Sequence, residues 1–213
     1  MGIFKGAMTL RRYHAEGEVP EDFREVYAES LNANAYREPR TWQIGELATG
    51  WCRVQNLLDT DFTDLNRWLF NHYAVAGLRV DKKVLPAKLF KAHLEKRIEQ
   101  WCAENQREKA PSGTRRELKE LLEIEMLART LPSVQVYEFC WNIVEGWVIF
   151  HNTSETANDL FRKEFRTTFG IVLTPFSPLD FLSRDPVLTE SLERVGISDY
   201  RPERPELYDG DSA

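Results

Sequence analysis

The chain has 213 residues, 42% of them hydrophobic, with six Trp, seven Tyr and twelve Phe. That is enough apolar material for the core of one large or two small domains, and it excludes disorder over most of the length. The 28 Lys and Arg against 34 Asp and Glu leave a net charge of −6, which excludes a uniformly basic packing protein but not a local basic face.

The charge is unevenly spread. Residues 1–81 carry 9 basic and 12 acidic groups, residues 82–129 carry 12 and 8, and residues 130–213 carry 7 and 14. A basic middle between acidic flanks reads either as the solvated surface of helices or as a face for an anionic partner.

Residues 3–13 alternate, with Phe4, Met8 and Leu10 on one side and Lys5, Thr9 and Arg11 on the other, as in a half-buried strand. Pro20 opens a helix in which Phe23, Val26, Tyr27 and Leu31 recur at helical spacing. Trp42 to Asn56 is strand-like, interrupted by Gly45 and Gly50, and Asn66 to Val80 reads as a hairpin breaking near Asn71 and His72. Pro86 then starts a long helix striped by Phe90, Leu94, Ile98 and Trp101 and ending near Glu108. After the break at Ala110-Pro111-Ser112-Gly113, Thr114 and Glu117 match a capping box for a second helix through Leu118, Leu121 and Leu122 to about Thr130. The short break predicts an antiparallel pair or a kinked arm.

Val134 to Ile143 and Trp147 to His151 flank a turn at Val144-Glu145-Gly146. Ser154 is placed to cap a helix carrying Ala157, Leu160, Phe161 and Phe165, which Gly170 ends. Ile171 to Leu173 is a short strand closed by Pro175, a last helix starts at Pro186, and the acidic residues from Arg201 onward read as a frayed tail. The fold class is α+β: mixed, mainly antiparallel sheets with a central long-helix pair. Four parts are expected, at 1–81, 82–131, 132–176 and 177–213.

The sequence shows none of the common catalytic motifs. His14, His72, His93 and His151 lack metal-helix spacing, and no nucleophile elbow, P-loop or dinucleotide turn occurs. Cys52, Cys102 and Cys140 form no C-x-x-C pair. No enzyme activity, cofactor, metal or small-molecule substrate is expected. The N-terminus lacks the apolar run of a signal peptide and no stretch approaches a membrane span, so a cytoplasmic protein with no membrane partner is expected.

The basic middle carries the functional expectation. Lys82, Lys83, Lys88, Lys91, Arg107, Lys109, Arg115, Arg116, Lys119 and Arg129 are candidates for sequence-independent contacts to the phosphates of double-stranded DNA, with Lys88, Lys91 and Arg107 turned away from the apolar stripe.

Lys83-Val84-Leu85-Pro86, followed by a charged helix, a polar break and a second Leu-Lys-Glu helix, resembles the RdgC family of recombination-associated proteins, with its K-I-L-P motif, L-K-D-E-type helix and L-L-P-R-A-F segment. Phe4-Lys5 with Met8, Gly50-Trp51, Gly146, Ser154, and Gly170 with Pro175 follow in family order, over residues 2–176. The resemblance implies a non-catalytic nucleoid protein whose homodimer encircles duplex DNA and restrains RecA-type recombinases. It implies that Arg129 points toward DNA and that Leu131 stands where the family has a tip phenylalanine, with Ala128 in place of its proline. The family's basic linker is thinned to residues 108–114, leaving Arg115 and Arg116. The family continues well beyond the proline matched by Pro175, so a smaller or open dimer is one expectation. Another is a protein-interaction or antagonist module of mobile-element origin that keeps the fold without binding DNA.

Overall fold

The computed structural model of the protein describes residues 9–177 and Glu190. The chain divides after Pro175 into two units, and the first holds the sheet and its helices. Its elements are β1 (Arg11–Glu16), α1 (Phe23–Ala33), β2 (Leu47–Cys52), β3 (Leu69–Phe70), β4 (Tyr73–Lys82), α2 (Ala87–Glu104), α3 (Ser112–Arg129), β5 (Ser133–Asn142), β6 (Trp147–Phe150), α4 (Glu155–Phe169) and β7 (Val172–Pro175). The strands form one seven-stranded sheet in the order β2-β4-β5-β6-β1-β7, with β3 also on β4. Every ladder is antiparallel. The parallel pairing among the described residues is an isolated bridge between Ala35 and Trp51.

The longest ladder, between β4 and β5, runs from Tyr73 opposite Asn142 to Lys82 opposite Ser133. Residues 83–132, which hold both α2 and α3, are therefore the elaborated connection of one long hairpin. The segments before and after this basic insertion share a single sheet rather than forming separate ones.

Alternation along the strands sends one set of side chains under α1 and α4. Trp51, Leu78, Phe139, Trp141, Val148 and Phe150 form that set, and all are nearly fully buried. Helix α4 meets them with Ala157, Phe161, Phe165 and Phe169, whose spacing of four keeps them on one stripe. Phe161 stacks on Phe150 at 4.1 Å, and Phe165 lies edge-on to Trp141 at 5.2 Å. The buried Trp51 indole donates through Nε1 to Thr168 Oγ1 at 2.7 Å, so its polar atom is satisfied.

Local signals place most boundaries. The predicted hairpin near Asn71 closes as β3 and β4, with Asn71 at φ 61°. Gly170, at φ 70°, ends α4 in the left-handed conformation that glycine adopts without strain. Three expectations change. The stretch from Trp42 to Asn56 yields only β2, and Trp42 instead packs with Tyr36, Ala48 and Leu127. Thr114 is not a cap: α3 begins two residues earlier, after Pro111, and Thr114 lies in its first turn. Ser154 does occupy the N-cap of α4, but its hydroxyl makes no capping bond. The alternation over residues 3–8, the helix at Pro186 and the tail from Arg201 lie outside the described residues.

Gly50 sits where β2 is crossed by the segment leaving α1. Trp51 N–H donates to Asn34 O and Tyr36 N–H to Trp51 O, at 3.0 and 2.9 Å. A Cβ at position 50 would stand 2.4 Å from the Tyr36 Cα, against backbone that cannot rotate away. Gly50→Ala is expected to destabilise the fold by about 1–3 kcal/mol, seen as a lower urea midpoint at unchanged slope. An unchanged midpoint would show that the segment yields.

Burial pushes the Tyr27 hydroxyl and the Cys52 thiol each up to about 12. The unfolded chain releases these protons earlier, near pH 10 and about 8.5 respectively. Their contribution to stability is therefore expected to be fully present below about pH 8.5 and to be lost as pH rises toward 12, which urea unfolding at pH 8 and 10.5 would reveal.

Candidate nucleic-acid interface

The inserted helices form an arm rather than part of the core. Helix α2 buries no residue, and its stripe of Phe90, Leu94, Ile98 and Trp101 is only half-buried. Helix α3 buries Leu122 and Leu127. The helices run antiparallel: Arg97 is ion-paired with Glu125, and His93 to Gln100 of α2 faces Leu122 to Arg129 of α3 and its C-cap Thr130 across a cleft. At 1.5 Å per residue each 18-residue helix is about 27 Å long, which sets the reach of the arm.

A small apolar cluster fixes the root of the arm: Leu127 packs with Tyr36, Trp42 and Ala48, and Leu85 lies against it. Lys83 is the polar part of this joint. Its ammonium donates to the Leu127 carbonyl at 3.0 Å and lies 5.2 Å from the Trp42 ring centre. That carbonyl is in the last turn of α3, where the helix dipole favours a cation. Beside it, the fully buried Asp81 accepts from Tyr36 Oη at 2.7 Å and from Arg79 Nη2 at 2.7 Å, and the Arg79 guanidinium covers the Tyr36 ring. Burial and the hydrogen bond to Asp81 together raise the Tyr36 hydroxyl well above its ordinary value.

The ten basic candidates do not form one surface. Lys83, only 7% exposed, is turned inward and is structural. Lys91, Arg116 and Lys119 are exposed but paired one helical turn on, with Glu95, Glu120 and Glu123 at 3.8, 2.9 and 3.6 Å. Lys82, Lys88, Arg107, Lys109, Arg115 and Arg129 are exposed, with no carboxylate of the described residues at salt-bridge distance. Arg107 lies beyond the end of α2 at Glu104, so it joins Lys109 and Arg115 around the helix-to-helix turn rather than Lys88 and Lys91 on the helix. Lys82 and Arg129 stand at the opposite end. Leu131, expected at a tip, is 88% exposed but lies at the root, between the end of α3 and the start of β5.

A second arrangement is not evident from the sequence. His93, Lys96, Arg97 and Gln100 share one flank of α2, across the helix from Lys88 and Lys91, and with Arg129 and Thr130 they wall a cleft of about 370 Å³. The i, i+3, i+4, i+7 spacing of these four was a visible signal; that the flank faces α3 was not. Among the described residues no three His, Cys, Asp or Glu converge as a metal site requires, and no helix is long and apolar enough to cross a membrane.

Lys83→Met is expected to remove the bond to Leu127 O, to cost about 1–3 kcal/mol, and to speed amide hydrogen exchange in the last turns of α3. Unaltered exchange there would show that apolar packing alone holds the root.

Comparison with known proteins yields a family rather than an individual relative. Curated proteins return no match to the chain. A family model described as "Putative exonuclease, RdgC" matches residues 13–190, from within β1 to beyond β7 and across the whole arm. With that match over most of its length, the chain belongs to the RdgC family.

Proposed function

We propose that the protein binds double-stranded DNA through its helical arm without reading sequence, and that it acts as a homodimer in the nucleoid to limit access of RecA-type recombinases, cleaving no bond and needing no cofactor. The observation that carries this reading is the set of cations at both ends of the arm that no carboxylate of the described residues compensates. Lys82 and Arg129 lie at the root, and Arg107, Lys109 and Arg115 at the turn about 27 Å away. Such groups neutralise phosphates and release counterions, which yields affinity without base recognition. The aromatic residues of α2 are half-buried against the arm itself, so the stacking platforms of single-strand binders are not on offer. Membership of a recombination-associated family supports the recombinase part.

With about four phosphates engaged, the salt slope would be near −3.6, or roughly a hundredfold loss of affinity between 50 and 200 mM salt. A fluorescence-anisotropy titration with a duplex of arbitrary sequence tests this; no binding at low salt, or binding indifferent to salt, overturns it. Reversing Arg107, Lys109 and Arg115 to Glu should weaken binding at least tenfold. The same reversal of the paired Lys91, Arg116 and Lys119 should weaken it less. Duplex degraded in the presence of Mg²⁺ would overturn the non-catalytic part of the proposal.

One observation favours a second reading, in which the arm meets a protein. Val84, Leu121, Ile124 and Leu131 are each more than half exposed on or beside it. Apolar exposure of this kind suits a second copy of the chain or an antagonised partner. Light scattering separates a dimer from a monomer. Capture of a protein partner that survives nuclease treatment, together with failure to bind duplex, would favour the antagonist module.

A further inference from the structure

The cleft between α2 and α3 differs in kind from the exposed cations around it. Its walls come from both helices, and its volume of about 370 Å³ falls at the lower end of the range for small-molecule sites. Leu122, only 4% exposed, and Met126 supply an apolar floor. Around that floor stand the donors Lys96, Arg97, Gln100 and Arg129, with the His93 imidazole. The carboxylate in the lining, Glu125, is engaged by Arg97. Lys96 and Arg129 keep their charges uncompensated by any described carboxylate. A concave, doubly cationic site with an apolar base calls for a ligand that is anionic at one end and flat or apolar at the other.

A duplex does not meet that description. Packed helices stand 8–10 Å apart, too close to admit a double helix between them, and paired bases keep their faces stacked. One nucleotide does meet it. We propose that this cleft binds a single nucleotide unit, with Lys96 and Arg129 holding its phosphate and Leu122 and Met126 lying under its sugar and base. Arg97 is then a positioning residue, held by Glu125 so that it braces the two helices and keeps the cleft open. The nucleotide has two possible sources, a free nucleoside monophosphate or the 5′-phosphorylated end of a DNA strand. Their shared chemistry is a phosphate monoester on a nucleoside.

The test uses the full chain and calorimetric titration with deoxyadenosine 5′-monophosphate. Saturable binding is expected, at least tenfold tighter than that of inorganic phosphate or of deoxyadenosine. Lys96→Gln should lower the affinity at least fivefold at an unchanged unfolding midpoint, since the side chain is exposed. Reversal of Arg107, Lys109 and Arg115 should leave nucleotide binding as it was. A 5′-phosphorylated single strand that competes with the nucleotide, where its 5′-hydroxyl counterpart does not, assigns the site to strand ends; competition by neither assigns it to the free nucleotide. Absence of saturable binding, equal affinity for inorganic phosphate alone, or full affinity in the Lys96→Gln protein would overturn the proposal. Loss of duplex binding with nucleotide binding intact would overturn the proposed function and leave this site standing.

Discussion

The ladder between β4 and β5 is the constraint on which the rest of the molecule depends. Ten consecutive pairs hold Tyr73–Lys82 against Ser133–Asn142, although fifty residues separate the end of one strand from the start of the other. Closing a long connection costs only slightly more entropy than closing a short one, so the hairpin tolerates a helical arm in place of a turn. The two ends of the arm are thereby brought to neighbouring strands, and its antiparallel geometry follows. The root then needs its own fastening, because α2 contributes nothing to the core. Leu127, Trp42 and the inward Lys83 provide it.

Charge on the arm is sorted by sequence spacing more than by total. A lysine or arginine followed by a glutamate four residues on is answered within its own helix, as at Lys91, Arg116 and Lys119. Each such pair is weak because both partners stand in water, yet it places a competing carboxylate beside every cation it engages. Cations in the turn and at the helix ends have no such neighbour. The +4 of the middle segment is therefore carried by the turn, the root and the cleft rather than spread over both helices.

Much of the fold was legible in local pattern. The spacing of Ala157, Phe161 and Phe165 marked the buried stripe of α4, the break near Asn71 and His72 marked a hairpin, and Gly146 and Gly170 marked a turn and a helix end. These features depend on neighbours within one or two turns, where the period of the side chains is a direct physical cause. The failures share the opposite origin. Thr114 and Glu117 have the spacing of a capping box, but Pro111, extended and followed by Ser112, starts the helix earlier. Trp42 lies in a strand-like run, yet its ring is claimed by Leu127 from a distant segment. Lys83 looks in sequence like any exposed lysine, because nothing in its neighbours says that a carbonyl from residue 127 awaits it. The cleft is of the same kind, since α2 shows its polar flank in sequence but not the helix across from it.

By itself the sequence determined the α+β class, the helical pair, the concentration of basic charge between 82 and 129, and the family, because composition, period and motif order are properties of the chain read in line. The tertiary structure alone decided that the flanking strands join in one sheet, that Lys83 faces inward, that Leu131 stands at the root, and that Lys96 and Arg129 line one cleft. These depend on which distant backbone atoms and apolar side chains compete for the same space. That competition is settled only when the whole core packs.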